Sequence, residues 1–97
     1  MNEKDKELKE RISVAAYFLS KENLHYDKLC WMLAERQLYR EKLEFPIKNV
    51  IRERAAKNFF SSPPYDVICW LISELDNLID NDIFKENSPS DFINKED

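Results

Sequence analysis

The sequence contains one ten-residue stretch twice, in slightly different versions. Residues 26–35 read YDKLCWMLAE and residues 65–74 read YDVICWLISE, so each position of the second copy is numbered 39 higher than its counterpart in the first. Five of the ten positions are identical, and both cysteines and both tryptophans of the chain lie inside this pair. Self-similarity at a fixed period in this range marks a duplicated supersecondary unit. The sequence therefore predicts two copies of one structural unit.

Each copy forms the second half of a predicted helical hairpin. Apolar residues at helical spacing predict four helices, at about residues 5–21, 26–41, 46–60 and 64–80. Turn signals separate them: Asn23, then Phe45-Pro46, then a Ser-Ser-Pro-Pro run at 61–64. The two leading helices also match, Ile12 with Ile51, if one residue of slip is allowed. The duplicated unit is therefore helix, turn and helix.

The predicted fold class is all-α. Two hairpins, neither able to cover its own apolar face, would form a four-helix antiparallel bundle built from two repeated helical hairpins. We expect the bundle over residues 1–82, with hairpins at about 5–42 and 46–81, and a loosely held acidic tail at 83–97. The predicted core includes the paired apolar positions Cys30, Trp31, Leu33, Cys69, Trp70 and Ile72.

Composition restricts the class of protein further. No apolar run among the 97 residues approaches the roughly 18 that a membrane span requires, and the charged first residues do not resemble a secretory signal. The two cysteines lack Cys-x-x-Cys spacing and lie in apolar runs, which predicts buried, reduced thiols. We therefore expect a cytoplasmic protein without membrane contact. Because glycine is absent, asparagine is expected at left-handed helix ends.

Charge is unevenly distributed along the chain. Residues 36–57 contain seven basic and three acidic residues, whereas residues 74–97 contain eight acidic and two basic ones. A basic patch can bind phosphate or an acidic partner surface, although exposed helix faces commonly have the same composition. The candidate partner-binding residues are Arg36, Arg40, Lys48, Arg52 and Lys57.

The second half resembles a short bacterial domain of unknown function. Its pattern is Ile-Arg-x-Arg-Ala-Tyr, a polar turn, then Asp-x-x-x-Trp-x-x-Ala-Glu. The matching residues here are IRERA at 51–55, Asp66 and WLISE at 70–74, with a fainter echo at Ile12, Ala16-Tyr17, Asp27, Trp31 and Ala34-Glu35. The turn of that family is usually longer and contains glycine, whereas here it is shorter and has none. The resemblance implies a helical hairpin, in two tandem copies, without implying an activity.

The sequence offers little for catalysis. His25 is the only histidine, so we expect no catalytic residue, no metal site and no cofactor. Glu35 and Glu74 occupy equivalent positions one turn beyond the tryptophans. Such a pair can serve acid–base chemistry or hold metals, or each glutamate can simply bond a neighbouring polar group. We do not expect an enzyme.

These observations favour a small protein-interaction module: an adaptor, an inhibitor or an assembly component. Its partner would be another protein. The alternative is a nucleic-acid-binding helical bundle that uses the basic middle segment, although the sequence pI of about 5.1 disfavours it. A homodimer also stays open, because duplicated hairpins can exchange between chains.

Overall fold

The chain folds into four helices. They are α1 (Glu3–Lys21), α2 (Tyr26–Lys42), α3 (Lys48–Ser61) and α4 (Tyr65–Glu86). This computed structural model describes residues 3–42 and 44–86, without the side chains at 4 and 82–86. The predicted all-α class is confirmed: within the described residues there are helices and no strands.

The four helices are not all neighbours. Short turns reverse the chain, so α1 and α3 run in one direction and α2 and α4 in the other. The pairs that pack along each other are α1 with α4, α4 with α2, and α2 with α3. Over the described residues, α3 packs along neither α1 nor α4, and α1 does not pack along α2, so the four helices do not close into a square. The side of α2 that faces the space between α3 and α4 is therefore left open.

The centre of the fold is the contact between α2 and α4. Leu29 and Ile68 are both 0% exposed and belong to the largest apolar cluster. Cys30, Leu33, Cys69 and Ile72 lie in the same cluster and are also buried. This agrees with the run of six apolar residues at 29–34, which is typical of a helix with protein on more than one side.

The register of the repeat is kept in three dimensions. Leu29 corresponds to Ile68 and Leu33 to Ile72, and all four are buried. The outer helices follow the same register, since Ile12 on α1 and Ile51 on α3 are both buried. The one residue of slip that the sequence comparison allowed is therefore not needed.

One buried position on the outer helices differs in polarity between the halves. Leu19 on α1 corresponds to Asn58 on α3, and both are buried. The Asn58 amide donates to the Cys30 carbonyl and to Gln37 Oε1, each at 3.2 Å. These bonds satisfy the buried amide of Asn58 at the position where α1 has the apolar Leu19.

Two tyrosines connect the hairpin turns. The Tyr26 hydroxyl donates to the Pro63 carbonyl, and the Tyr65 hydroxyl donates to the Leu24 carbonyl at 2.7 Å. Each tyrosine begins one central helix and binds the turn that precedes the other. The starts of α2 and α4 therefore lie side by side. Further along, Arg36 Nε donates to Asp76 Oδ1 at 2.7 Å, so the two helices stay adjacent as they run in the same direction.

Two predicted features need correction. The fourth helix ends at Glu86 rather than near Asp80, so it continues into the segment assigned to the tail. The reason is that no proline or glycine follows Asp80 until Pro89. Residues 87–97 of the predicted tail lie outside the described residues.

The second correction concerns the tryptophans that were predicted to lie in the core. Trp31 and Trp70 are only half-buried, because each lines a surface cavity beside an outer helix.

The turns without glycine carry two left-handed residues. Asn23, at φ 53°, follows α1, and Ser62, at φ 51°, follows α3. They are equivalent positions, and the asparagine agrees with the expectation from the sequence. Serine is a poorer choice, because its Cβ is strained in this conformation and it lacks the tolerance of asparagine.

We expect Ser62→Gly to raise the free energy of unfolding by about 0.5–1 kcal/mol, because glycine adopts positive φ without strain. Urea denaturation followed by circular dichroism measures the change. Asn23→Gly is the matched control, and its gain should be smaller because asparagine already tolerates the left-handed region. A Ser62→Gly variant no more stable than the parent chain would contradict the expectation.

Candidate interaction surface

The five predicted partner-binding residues do not share one surface. Arg36 is tied into the fold: its Nη1 donates to the Met32 carbonyl at 3.0 Å, in addition to the bond with Asp76. Lys48 and Arg52 lie one turn apart on α3 and are exposed. Lys57 is two and a half turns from Lys48, which places it on the opposite side of the same helix. Arg40 is half-buried on α2. Only Lys48 and Arg52 form a pair on one flank.

A surface groove runs along the open side of α2. Its first half is a cavity of about 430 Å³ between α2 and α3, lined by Asp27, Trp31, Ala55, Ala56, Phe59 and Phe60. Its second half is a cavity of about 460 Å³, lined by Glu35, Tyr39, Phe45, Pro46, Ile51 and Ile79. We call the two halves together the α2 groove.

The two halves of the α2 groove are continuous. On α2, Trp31 in the first half is one turn before Glu35 in the second. On α3, Ala55 is one turn after Ile51. Trp31, Ile51 and Ala55 also belong to one apolar cluster. In the second half, Ile79 of α4 lies on the wall opposite α3.

Aromatic side chains at the rim of the groove are unusually exposed. Phe60 is 82% exposed at one end and Phe45 is 90% exposed at the other. Phe59 contacts Phe60 edge to face at 5.9 Å between ring centroids, and the ring of Phe45 lies 5.5 Å from that of Tyr39. These exposed rings leave a substantial apolar surface in water. Burying one phenylalanine side chain contributes about 1.5–3 kcal/mol, so covering this surface would be favourable.

The other half of the chain has a corresponding cavity, which is more polar. It measures about 400 Å³ between α1 and α4, and Asp66, Cys69 and Trp70 line it as Asp27, Cys30 and Trp31 line the first. Its α1 wall carries Ser13, Tyr17 and Ser20. The equivalent positions on α3 are Arg52, Ala56 and Phe59. The walls formed by α2 and α4 therefore carry the same three residue types, whereas the walls formed by α3 and α1 differ in composition.

The cysteines are poorly suited to nucleophilic chemistry. Cys30 and Cys69 are free and buried. Burial raises the pKa of both thiols, and the carboxylates of Asp27 and Asp66 raise the pKa further. A raised pKa keeps the reactive thiolate scarce near neutral pH.

The glutamate pair occupies two different settings. Glu35 lines the α2 groove, and its carboxylate lies 3.7 Å from Nη1 of Arg36. Glu74 is half-buried on α4, and His25 is exposed in the turn before α2. Within the described residues, no group of three or more histidine, cysteine, aspartate or glutamate side chains is arranged to hold a metal ion.

Sequence reasoning missed the aromatic rim of the groove. Phe45 and Phe60 border predicted turns, and phenylalanine is among the residues most often buried in folded proteins. The available signal was that Phe60 lies off the apolar stripe of α3, which includes Val50, Ile51 and Ala55.

No family model matches the chain, and neither a curated protein nor a solved structure does so. The resemblance to the bacterial domain of unknown function therefore stays a prediction. Among the described residues, no helix is sufficiently long and apolar to cross a lipid bilayer.

Proposed function

We propose that this chain is a small, non-enzymatic protein-interaction module and that its docking surface is the α2 groove. The observation that carries the proposal is the row of exposed aromatic side chains, Phe45, Phe59 and Phe60, along a groove between packed helices. Large exposed apolar patches, especially those bordered by polar residues, are typical of protein-binding sites.

The arrangement of the helices supports the same reading. Because α3 does not lie along α4 within the described residues, the groove has a floor and walls but no further helix to cover it. Grooves of this kind accept helices or extended segments of other proteins. The buried thiols with raised pKa values give no support to an enzyme that uses a cysteine nucleophile. Two free cysteines are compatible with the reducing cytoplasm, which the proposal keeps as the location.

The nucleic-acid alternative gains no support from the arrangement of the basic residues. Arg36 binds Asp76, and Arg54 binds Glu41 through two hydrogen bonds of 2.8 and 3.1 Å. Lys48 and Lys57 lie on opposite sides of α3. Binding a nucleic-acid backbone requires several cations on one surface. We therefore propose the protein-interaction function only.

Site-specific photocrosslinking in native cells tests this function. A benzoylphenylalanine at position 60 lies at the α2 groove, and the same group at Tyr17 lies at the corresponding cavity between α1 and α4. We expect a discrete covalent adduct with another protein from position 60 and a much weaker one, or none, from position 17. Absence of any adduct at position 60 would refute the proposed docking surface.

A further inference from the structure

We propose that the first half of the α2 groove binds the guanidinium group of an arginine in a partner protein, between aromatic rings and the Asp27 carboxylate. The inference rests on the proposed function and adds the chemistry that the partner presents. It depends on three observations: the rings in this half, the charge of the groove, and the corresponding cavity between α1 and α4.

Three aromatic side chains line the first half of the α2 groove: Trp31 on α2, and Phe59 and Phe60 on α3. The planes of the two phenylalanine rings lie at 87° to each other, and Phe60 is 82% exposed. Tyr26 holds the ring of Phe59 edge to face, at 5.9 Å between centroids. The face of an aromatic ring carries partial negative charge and attracts a cation within about 6 Å. This half is therefore suited to a cation as well as to an apolar group.

The charge of the groove is negative. Among the described residues that line the first half, Asp27 alone is charged. It lies one turn before Trp31, and within the described part of the chain no basic side chain forms a salt bridge with it. The second half adds Glu35 and Asp76 against Arg36. The lining therefore carries three carboxylates and one guanidinium, which favours a cationic occupant.

The lysines next to the lining residues in the sequence are turned away from the groove. Lys28 follows Asp27 and Lys57 follows Ala56, and both lysines are exposed. One position along a helix is a rotation of about 100°, so neighbours in the sequence do not share a face. The chain's own lysines therefore leave the carboxylate of Asp27 open to a cation from outside.

The corresponding cavity between α1 and α4 has a cation at its aromatic wall. Tyr17 lines that cavity, and Nζ of Lys21 lies 5.1 Å from the centroid of the Tyr17 ring. Asp66 and Trp70, the equivalents of the carboxylate and the indole in the groove, line it as well. The position equivalent to Lys21 is Phe60 on α3. One half of the chain therefore supplies its own cation, whereas the other half has a further ring at the same position.

The combination of rings and a carboxylate selects arginine among the cationic side chains. A guanidinium group is flat, stacks on aromatic faces and has donors in its plane that pair with a carboxylate. A lysine ammonium is more strongly hydrated, and a trimethylammonium group has no N–H to donate to Asp27. The first half continues into the apolar second half, so we expect the arginine in a segment that also carries an apolar residue.

The first test is a titration of the full chain with short acetylated peptides, followed by the indole N–H signals in NMR spectra of isotope-labelled protein. Trp31 and Tyr39 are roughly 12 Å apart along α2, and four residues of extended peptide cover about the same distance. The peptides are therefore Arg-Ala-Ala-Ala-Leu and Leu-Ala-Ala-Ala-Arg, which present the two chain directions. In the control peptides citrulline replaces arginine, which keeps the shape and removes the charge.

We expect at least one arginine peptide to move the signal of Trp31, which Trp70→Phe distinguishes from that of the other tryptophan. The citrulline version of that peptide should bind at least fivefold more weakly, because it loses both the attraction to the rings and the pairing with Asp27.

Matched variants assign the effect to the residues of the groove. Asp27→Asn should weaken binding of the arginine peptide at least fivefold and leave the citrulline peptide unchanged, whereas Asp66→Asn should change neither. Phe60→Leu keeps an apolar side chain but removes a ring, so it should weaken the arginine peptide more than the citrulline peptide. All three altered residues are exposed, and circular dichroism checks that the variants fold.

Three results would overturn the inference. The first is no binding of any peptide, or equal affinity for the arginine and citrulline versions. The second is tighter binding when trimethyllysine replaces arginine, which would assign the site to a methylated lysine. The third is a Trp31 signal that moves with protein concentration in the absence of peptide, together with the mass of a dimer in light scattering. That result would make a second copy of the chain the occupant.

Photocrosslinking from position 60 separates this inference from the proposed function. We expect the adduct to weaken when Asp27→Asn is added and to keep its strength with Asp66→Asn. An adduct of full strength with Asp27→Asn would reject the arginine and leave the proposed function standing. If the parent chain gives no adduct, the proposed docking surface is refuted, and the peptide titration still decides whether the cavity binds a guanidinium group.

Discussion

Ile68→Ala is expected to lower the free energy of unfolding by about 2–5 kcal/mol, because it removes a fully buried side chain from the contact between α2 and α4. A domain of this size is stabilised by only about 5–15 kcal/mol, so the loss would be a large fraction of the total. Leu29→Ala, at the equivalent position on α2, should cost a similar amount. Urea denaturation of each variant measures the change.

The neighbouring residue provides the control for this substitution. Val67 precedes Ile68 on the same helix and is 40% exposed, so Val67→Ala should cost far less than Ile68→Ala. Leu29 and Ile68 lie in one cluster, so the double alanine variant should depart from additivity by about 0.5–3 kcal/mol. Equal losses at positions 67 and 68 would show that α2 and α4 do not form the centre of the fold.

Division of the chain in the linker between α2 and α3 is expected to unfold both halves when they are apart. Each outer helix packs on the central helix of the other half, α1 on α4 and α3 on α2. A fragment of residues 1–44 or 45–97 therefore lacks the surface that its outer helix covers. Most helical stability in proteins comes from the packing of an amphipathic face and not from intrinsic propensity, so most of the helical signal should be lost.

Mixing the two fragments in equal amounts should restore the helical signal and give a complex with the mass of one copy of each. Circular dichroism and light scattering follow the two effects. The 45–97 fragment with Ile68→Ala serves as the control and should associate more weakly. A fragment that is fully helical and monomeric by itself would disprove the exchanged packing of the outer helices.

The candidate surface could be predicted only in part. Lys48 and Arg52 were named from charge, and the structure places them together on one flank of α3. Arg36 belongs to the same basic segment, but its side chain binds Asp76, which is far away in the sequence. Local composition does not show which cations are used between helices. The aromatic rim was missed for a related reason, since nothing in the sequence shows that α3 and α4 stay apart.

The sequence by itself determined the helices, their approximate bounds and the correspondence between the two halves. These features depend on local spacing, on prolines near residues 46 and 63, and on the repeated stretch at 26–35 and 65–74. Only the tertiary structure decided which helices are neighbours. Judged from the sequence pattern, the apolar faces of α1 and α3 could each pack on α2 or on α4. Which central helix each one packs on depends on contacts between side chains that are distant in the sequence. That choice left the α2 groove open, and with it the surface on which the proposed function depends.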